Sequence, residues 1–528
     1  MTRLRPAVCA LLFGCSAVVA PAPGEPPPIG PDPAPFSRVS APAAPAPREV
    51  PAPREAPAAS LPEPSRALEA PAERRAETPP EETRQDEQPA LEPAGAPELV
   101  AVAREAFVHS RPSKKSPKLG YLRLGERVKR DPTPVRGDGC ADGWYGVAPE
   151  GFVCVGPTAS LDASNPAAEL ARPRPQRDDP LPYAYAQSKG VPPPLYSRLP
   201  NGVEQAEVEG GSPKRAARPA PGWENLETAP LPPLLAEGKS LPTVFGFARP
   251  ASSGAARAVA NSAFALLTVH EHEGRRFGLT TDLELVPLDR VNRVRASEFR
   301  GVPLAGDVRL PVGFVRSRHA LLYAGGPERG LSIARATRFR EGFALSGRSA
   351  LIGSRRYVES GAGDWIAETE LVRIDPPKRL PPWATGARTW IHVAIGAQTL
   401  VAYVGKEPVF ATLVSTGSDG LADPAESRAT PRGEFLVHTK HLTATMSGDE
   451  VGDEFDLRDV PYVQYWSGGY AFHAAYWHDA FGVPRSHGCV NLSPLDARWL
   501  FHFTEPSVPR GWHGAFSLRD GTLVSITE

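Results

Sequence analysis

The chain reads as a mostly β, multidomain protein, and three observations carry that expectation. From residue 98 onward, short runs alternate apolar and polar residues between glycine-rich turns, the period-2 pattern of half-buried strands. The 62 prolines are unevenly spread and collect in stretches that divide those runs. In the last part of the chain a helical signal appears only near its end. There Ser493 can cap a helix with Pro494 at its first position and Leu495, Trp499, Leu500 and Phe503 on one face. The 528 residues suggest three or four domains. A net charge of −1 supplies no global field to recruit nucleic acid or an anionic membrane.

The N-terminus reads as an export signal, residues 1–20. Arg3 and Arg5 give a positive start, and Ala7 to Ala20 form an apolar run too short to span a membrane as a helix. Two processing routes are open. Leu12-Phe13-Gly14-Cys15 looks like a lipoprotein box with Cys15 as the lipidated residue, which would attach the protein to a membrane. Val18-Val19-Ala20 would instead serve ordinary signal cleavage. Residues 21–97, rich in proline and alanine, lack the apolar content to offset the entropy of ordering and read as a disordered spacer.

Residues 98–160 change to short strands: Ala106-Phe107-Val108-His109, Gly120-Tyr121-Leu122-Arg123-Leu124 and Trp144-Tyr145-Gly146-Val147. Their number and length suggest a small barrel, and the arrangement resembles a bacterial SH3-like domain. Residues 161–180 form a second polar, proline-rich linker. Residues 181–375 then hold one or two further SH3-like β modules, with Gly313-Phe314-Val315-Arg316 opening the last unit; a single larger all-β domain is the alternative. Residues 376–385 are a proline-stiffened hinge before the last domain, 386–528.

Of five cysteines, Cys9 and Cys15 lie in the signal and Cys140 and Cys154 in the first β module. An exported protein can hold a Cys140–Cys154 disulfide, which leaves Cys489 as the odd thiol. No CxxC or HExxH pair offers a zinc site. His270 and His272 alternate on one strand face and read as solvated side chains rather than ligands.

Cys489 lies in Arg485-Ser486-His487-Gly488-Cys489-Val490-Asn491-Leu492, thirteen residues after His473 in the case of Ser486. Cysteine attacks acyl carbons as the thiolate, so it needs a basic neighbour, and histidine suits that task. Gly488 permits a sharp turn, after which the N–H groups of His487, Gly488 and Cys489 could face a developing oxyanion.

These residues carry a resemblance. His473, a gap and Ser486-His487-Gly488-Cys489-Val490-Asn491 resemble the signature of the YkuD-type L,D-transpeptidases. Thr389 to Gly417, with Gln398 embedded, is similar to that family's opening hairpin. Thr430-Pro431-Arg432-Gly433-Glu434-Phe435 is similar to its T-P-x-G-x-F segment, and Val460-Pro461-Tyr462-Val463 to the strand before the histidine. The family often has glycine or serine after the upstream histidine; here it is Ala474, whose main-chain carbonyl still serves to orient the imidazole.

The resemblance implies a β-sandwich or barrel with one or two helices over 386–528. It implies Cys489 as nucleophile, His473 as its base, His487 on the oxyanion side, and Ser486, Gly488 and Asn491 holding the turn. The implied partners are peptidoglycan stem peptides in the cell envelope. Cys489 would release D-alanine from a stem tetrapeptide and pass the acyl group to an amine, making a 3–3 cross-link; no metal or organic cofactor is implied. Hydrolysis of the same thioester by an L,D-carboxypeptidase, and a non-enzymatic wall-binding lipoprotein, are the competing readings. His478 competes with His473 as base. The upstream modules are expected to stand apart from the chemistry.

Overall fold

The computed structural model describes residues 95–188, 190–210, 222–247, 256–448, 454–517 and 519–528. The expected signal with Cys15, and nearly all of the 21–97 spacer, lie outside them. Strands dominate the described residues, and α-helices are confined to Pro166–Leu170, Gly202–Glu209, Pro233–Ala236 and Pro494–Phe503.

Six strands form the first sheet of the C-terminal domain, in the order Val302–Pro303, Glu407–Leu413, Thr399–Val404, Thr389–Ala394, Leu523–Thr527, Gly433–Leu436. The alternation of Ile391, Val393 and Ile395 works as a half-buried strand should, with all three inside the core. Gln398, at φ +55°, makes the turn to the next strand.

A second sheet passes through distant stretches of the chain. Strand Arg275–Thr280 pairs with Ser262–His272, which runs parallel to Phe455–Ser467 through Ser262↔Asp456 and Ala263↔Leu457. Phe455–Ser467 pairs with Thr439–Gly448, that strand with Gly514–Phe516, and Gly514–Phe516 with Lys118–Leu122. The stretches expected as separate modules before the last domain are therefore not beads on a string. Residues 98–160 and 184–293 are hydrogen-bonded into the C-terminal domain's own sheet. Residues 312–374 differ and form a seven-stranded sheet by themselves.

Buried side chains reinforce the shared sheet. Tyr185, Ala263 and Ala265 pack with Leu457, Val460, Val463 and Ala471 in one apolar cluster. Beside it lies a buried ionic seam. Arg123 Nη1 meets Asp459 Oδ1 at 2.7 Å and Arg123 Nη2 meets Asp282 Oδ1 at 3.4 Å, while Thr281 and Thr443 hydroxyls donate to Asp459. Arg458 meets Asp282 at 3.3 Å and also pairs with Glu284. Burial alone would raise the Asp459 pKa, but Arg123 and the two hydroxyls outweigh it and hold the carboxyl below its usual range.

The expected linkers are packed rather than free. In 161–180, Asn165 caps helix Pro166–Leu170, Ala168 and Leu170 are buried, and Arg177 donates to Val508 and Trp512 carbonyls. In 376–385, Trp383 lies edge-on to Trp390 at 5.2 Å and donates to Glu434 Oε1 at 3.2 Å. His270 is not solvated: its ring lies 3.1 Å from the Ala229 carbonyl and 2.8 Å from Thr268 Oγ1, inside the 184–293 unit. The C-terminal helix starts at Pro494 with Ser493 as cap, yet Ala497, Leu500 and Phe501 are its buried face and Leu495 is half-buried. Trp499 and Phe503 instead stack beside Phe410 on its flank.

Candidate active site

Strand Tyr470–Ala474 carries His473 and lies parallel to Val490–Leu492, in register Phe472↔Val490 and His473↔Asn491. Cys489 immediately precedes the second strand. The parallel pairing therefore sets thiol and imidazole on adjacent strands, whose axes lie about 4.8 Å apart. A parallel pair needs a connection of roughly a dozen residues or more, and residues 475–489 supply it here.

The turn before Cys489 is tied on every side. Gly488 has φ +114°, and a Cβ there would meet the Tyr470 ring at 2.5 Å and the Ala429 carbonyl at 3.2 Å. Only glycine satisfies both the conformation and the space. Thr430 Oγ1 donates to the Gly488 carbonyl at 2.8 Å and accepts from Gly417 N–H at 2.9 Å. Gln398 bonds Thr416 through both ends of its amide, and the Thr416 carbonyl accepts from Arg485 and Ser486 N–H at 2.8 and 3.0 Å. Ser415 and Asn491 exchange backbone bonds at 2.9 and 2.8 Å. The glutamine and threonine motifs thus act on the cysteine turn from two other parts of the chain.

Within the turn, Ser486 Oγ donates to the Cys489 carbonyl and accepts from Gly488 N–H at 3.0 Å. The Gly488 N–H, expected among the oxyanion donors, is already spent on that bond. His487 packs against Phe455 with ring centres 5.2 Å apart.

His473 is 2% exposed, stacks on Trp477 at 5.6 Å, and has Nδ1 3.2 Å from the Ala474 carbonyl. A proton held on Nδ1 by that carbonyl leaves Nε2 as the basic nitrogen. Burial drops the His473 pKa to about 4, against a partial rise from the Ala474 bond. Burial pushes the Cys489 thiol up to about 11, against a smaller pull from Ala471. The resting pair is therefore neutral thiol and neutral imidazole, and a thiolate must be generated during attack. Cys489 is half-buried, with Sγ 3.8 Å from the Gly469 carbonyl.

His478 is partly buried behind the site. Its Nδ1 accepts from Ala480 N–H at 3.2 Å, so its proton sits on Nε2, 3.0 Å from the Asn491 carboxamide. Asn491 Oδ1 otherwise has no partner, so the carboxamide oxygen belongs on that Nε2–H. His478 orients Asn491, whereas His473 lines the cleft.

That cleft has a volume of about 670 Å³, within the range of small-ligand sites. His473, Ser486, His487, Cys489 and Asn491 all line it, joined by Arg485. Among its described lining residues Arg485 is the fixed cation and no carboxylate appears.

Residues 388–526 match the model of the L,D-transpeptidase catalytic domain, YkuD. They are an L,D-transpeptidase catalytic domain. The chain is 28% identical over 159 residues to L,D-transpeptidase 1 of Mycobacterium tuberculosis, covering 27% of this chain and 62% of that protein. It thus spans under two thirds of the length of the curated relatives it matches. Among solved structures, the catalytic domain of E. faecium L,D-transpeptidase is 23% identical, covers 27% of this chain and 98% of its own, and has a TM-score of 0.21. An L,D-transpeptidase from Mycobacterium smegmatis is 19% identical, with 44% and 99% covered and a TM-score of 0.21.

Two residues of the cleft come from outside the L,D-transpeptidase domain. Gln187 and Asn261 belong to the 184–293 unit, so that upstream unit supplies part of the cleft's lining. Nothing in their local sequence marks them. Thr430 and Arg485 were visible inside motifs, but their contacts needed the fold. Cys140 and Cys154 form a disulfide in the 98–160 unit with an S–S distance of 2.04 Å.

Proposed function

We propose that this protein is a peptidoglycan L,D-transpeptidase in which Cys489 is acylated by the donor stem. The observation that carries the reading is a base-competent histidine on one strand and a cysteine at the start of its parallel neighbour, both lining one cleft. The family acts on stem peptides in the cell envelope, which supplies the substrate class. Export through residues 1–20, with a lipid on Cys15, and SH3-like character for the upstream β units belong to the same proposal.

Sγ of Cys489 attacks the carbonyl of the third, L-centre residue while His473 Nε2 takes the thiol proton. Because both groups rest neutral, this transfer accompanies attack. The oxyanion is met by the N–H of Cys489 with His487 at its side, since Gly488 N–H serves Ser486. Collapse expels D-alanine, whose amine takes the proton from His473, and leaves a thioester. The side-chain amine of a neighbouring stem attacks that thioester, closing a 3–3 cross-link and restoring the thiol.

Purified protein incubated with disaccharide tetrapeptide and resolved by mass tests this. Transpeptidation gives a dimer lighter than two monomers by one D-alanine, whereas an L,D-carboxypeptidase gives tripeptide alone. Cys489→Ala abolishes product, and His473→Ala slows acylation at least about a hundredfold, the usual effect of losing a general base. His478→Ala costs less, because it acts through Asn491. Full activity in Cys489→Ala would end the cysteine-nucleophile reading, whereas no product from the intact protein would favour a wall-binding protein.

A further inference from the structure

The wall of the cleft opposite the catalytic strands is built by another part of the chain. Gln187 lies on strand Ala184–Ser188, hydrogen-bonded on one side to Ser262–His272 and on the other to Val291–Arg293. Its backbone is therefore held from both edges. Asn261 sits at φ +53° just before Ser262, and its side chain donates to the Glu454 carbonyl at 3.4 Å. From Ser262 the chain runs directly alongside Asp456 and Leu457, and Leu457 lines the cleft beside Cys489. Both amides thus stand on a frame that the shared sheet, the common apolar cluster and the Arg458–Asp282 pair fix to the catalytic domain.

We infer that the 184–293 unit is a substrate-binding element of the site, with Gln187 and Asn261 reading the backbone of an extended stem peptide. The inference rests on the proposed function for the substrate class. A carboxamide carries two donors and one acceptor, the complement of a peptide group, and neither charge nor bulk limits which side chain it faces. The cleft's lining fits the same ligand, since amides, hydroxyls and Arg485 suit a peptide ending in a carboxylate and no acidic side chain appears among the described lining residues.

The test is binding, separated from turnover. Disaccharide tetrapeptide is titrated calorimetrically into full-length Cys489→Ala protein, with Gln187→Met and Asn261→Gly added singly. Gln187→Met keeps length and removes the hydrogen bonds, and glycine accepts the positive φ of Asn261 without strain. Each raises Kd about three- to tenfold, the size of one net hydrogen bond. His272→Ala, on the same unit but outside the cleft lining, stays within about twofold. An unchanged Kd in both cleft variants, or no binding by the parent, overturns the inference. If Gln187→Met unfolds, Asn261→Gly alone decides. Failure of the proposed function reads differently: protein with Cys489 intact would bind the tetrapeptide and release no D-alanine.

Discussion

Two of the β units that precede the catalytic domain, 184–293 and 312–374, share a short-strand pattern yet relate to it differently. The 184–293 unit joins its sheet, shares its apolar cluster and buries charge against it. The 312–374 unit keeps its own sheet and touches the domain through Val312, Phe314 and Ile374 and one ion pair, Arg340 with Asp479 at 2.5 Å. Its edge strand Gly330–Ala336 is largely exposed, Ile333 by 67%, and so is Leu351, by 66%, on strand Gly342–Ile352. The contrast teaches that pairing through backbone and buried charge makes one unit part of the site, whereas apolar apposition with a half-exposed ion pair leaves the other a neighbour.

The comparison breaks first at Asp459. Asp459→Ala leaves Arg123 buried without its closest partner and should cost about 3–5 kcal/mol, read by chemical denaturation of the full chain. The signals of the 98–160 unit, the 184–293 unit and the catalytic domain should fall together. A loss under about 1 kcal/mol would mean that the seam does not join them.

Acid sharpens the same contrast. Burial holds His473 and His478 at about 4, His441 at about 3, and lowers His270, all from an ordinary value near 6.5. A folded-state pKa below the unfolded one means that the unfolded chain binds more protons, so stability is whole above about pH 6.5 and falls as pH drops toward 4. These residues lie in the catalytic domain and the 184–293 unit, so those melt earlier at pH 4.5 than at pH 7. The 312–374 unit should shift less, and equal shifts would erase the distinction.

The smallest effect is the coupling between Arg340 and Asp479 in a double-mutant cycle, which sets aside the packing of buried Arg340 over Phe299, Phe339 and Phe481. Asp479 is 56% exposed at the side chain, so the pair is screened and should contribute about 1 kcal/mol or less. A larger coupling would place the 312–374 unit in the same cooperative body as the site.

Much of the site was legible because its chemistry is local. Cys489, His473, Gly488 and the Ser493-Pro494 cap sit in runs where residue type and spacing already speak. Thr430 and Gln398 were legible as motif members but not in their work, since the hydroxyl and amide act on atoms 58 and 18 residues away. The seam was illegible. Arg123, Asp282 and Asp459 each look like a solvated charge beside strand residues, and only mutual burial gives them a role. The separate-module reading failed for the same reason, because strand alternation states which side chains face inward but not which edge the backbone will pair with.

By itself the sequence determined the β class, the helix start, the odd thiol with its histidine, and the glycine that lets the turn close. These follow from period, capping, valence and φ, which a few adjacent residues set. Tertiary structure decided that Gly488 N–H serves Ser486, that His478 stands behind Asn491, and that Gln187 and Asn261 wall the cleft. Each of those depends on which atoms compete for one donor or one space. For Gly488 and His478 that competition is settled inside the folded turn, and for Gln187 and Asn261 it arises only when strands far apart in the chain are hydrogen-bonded side by side.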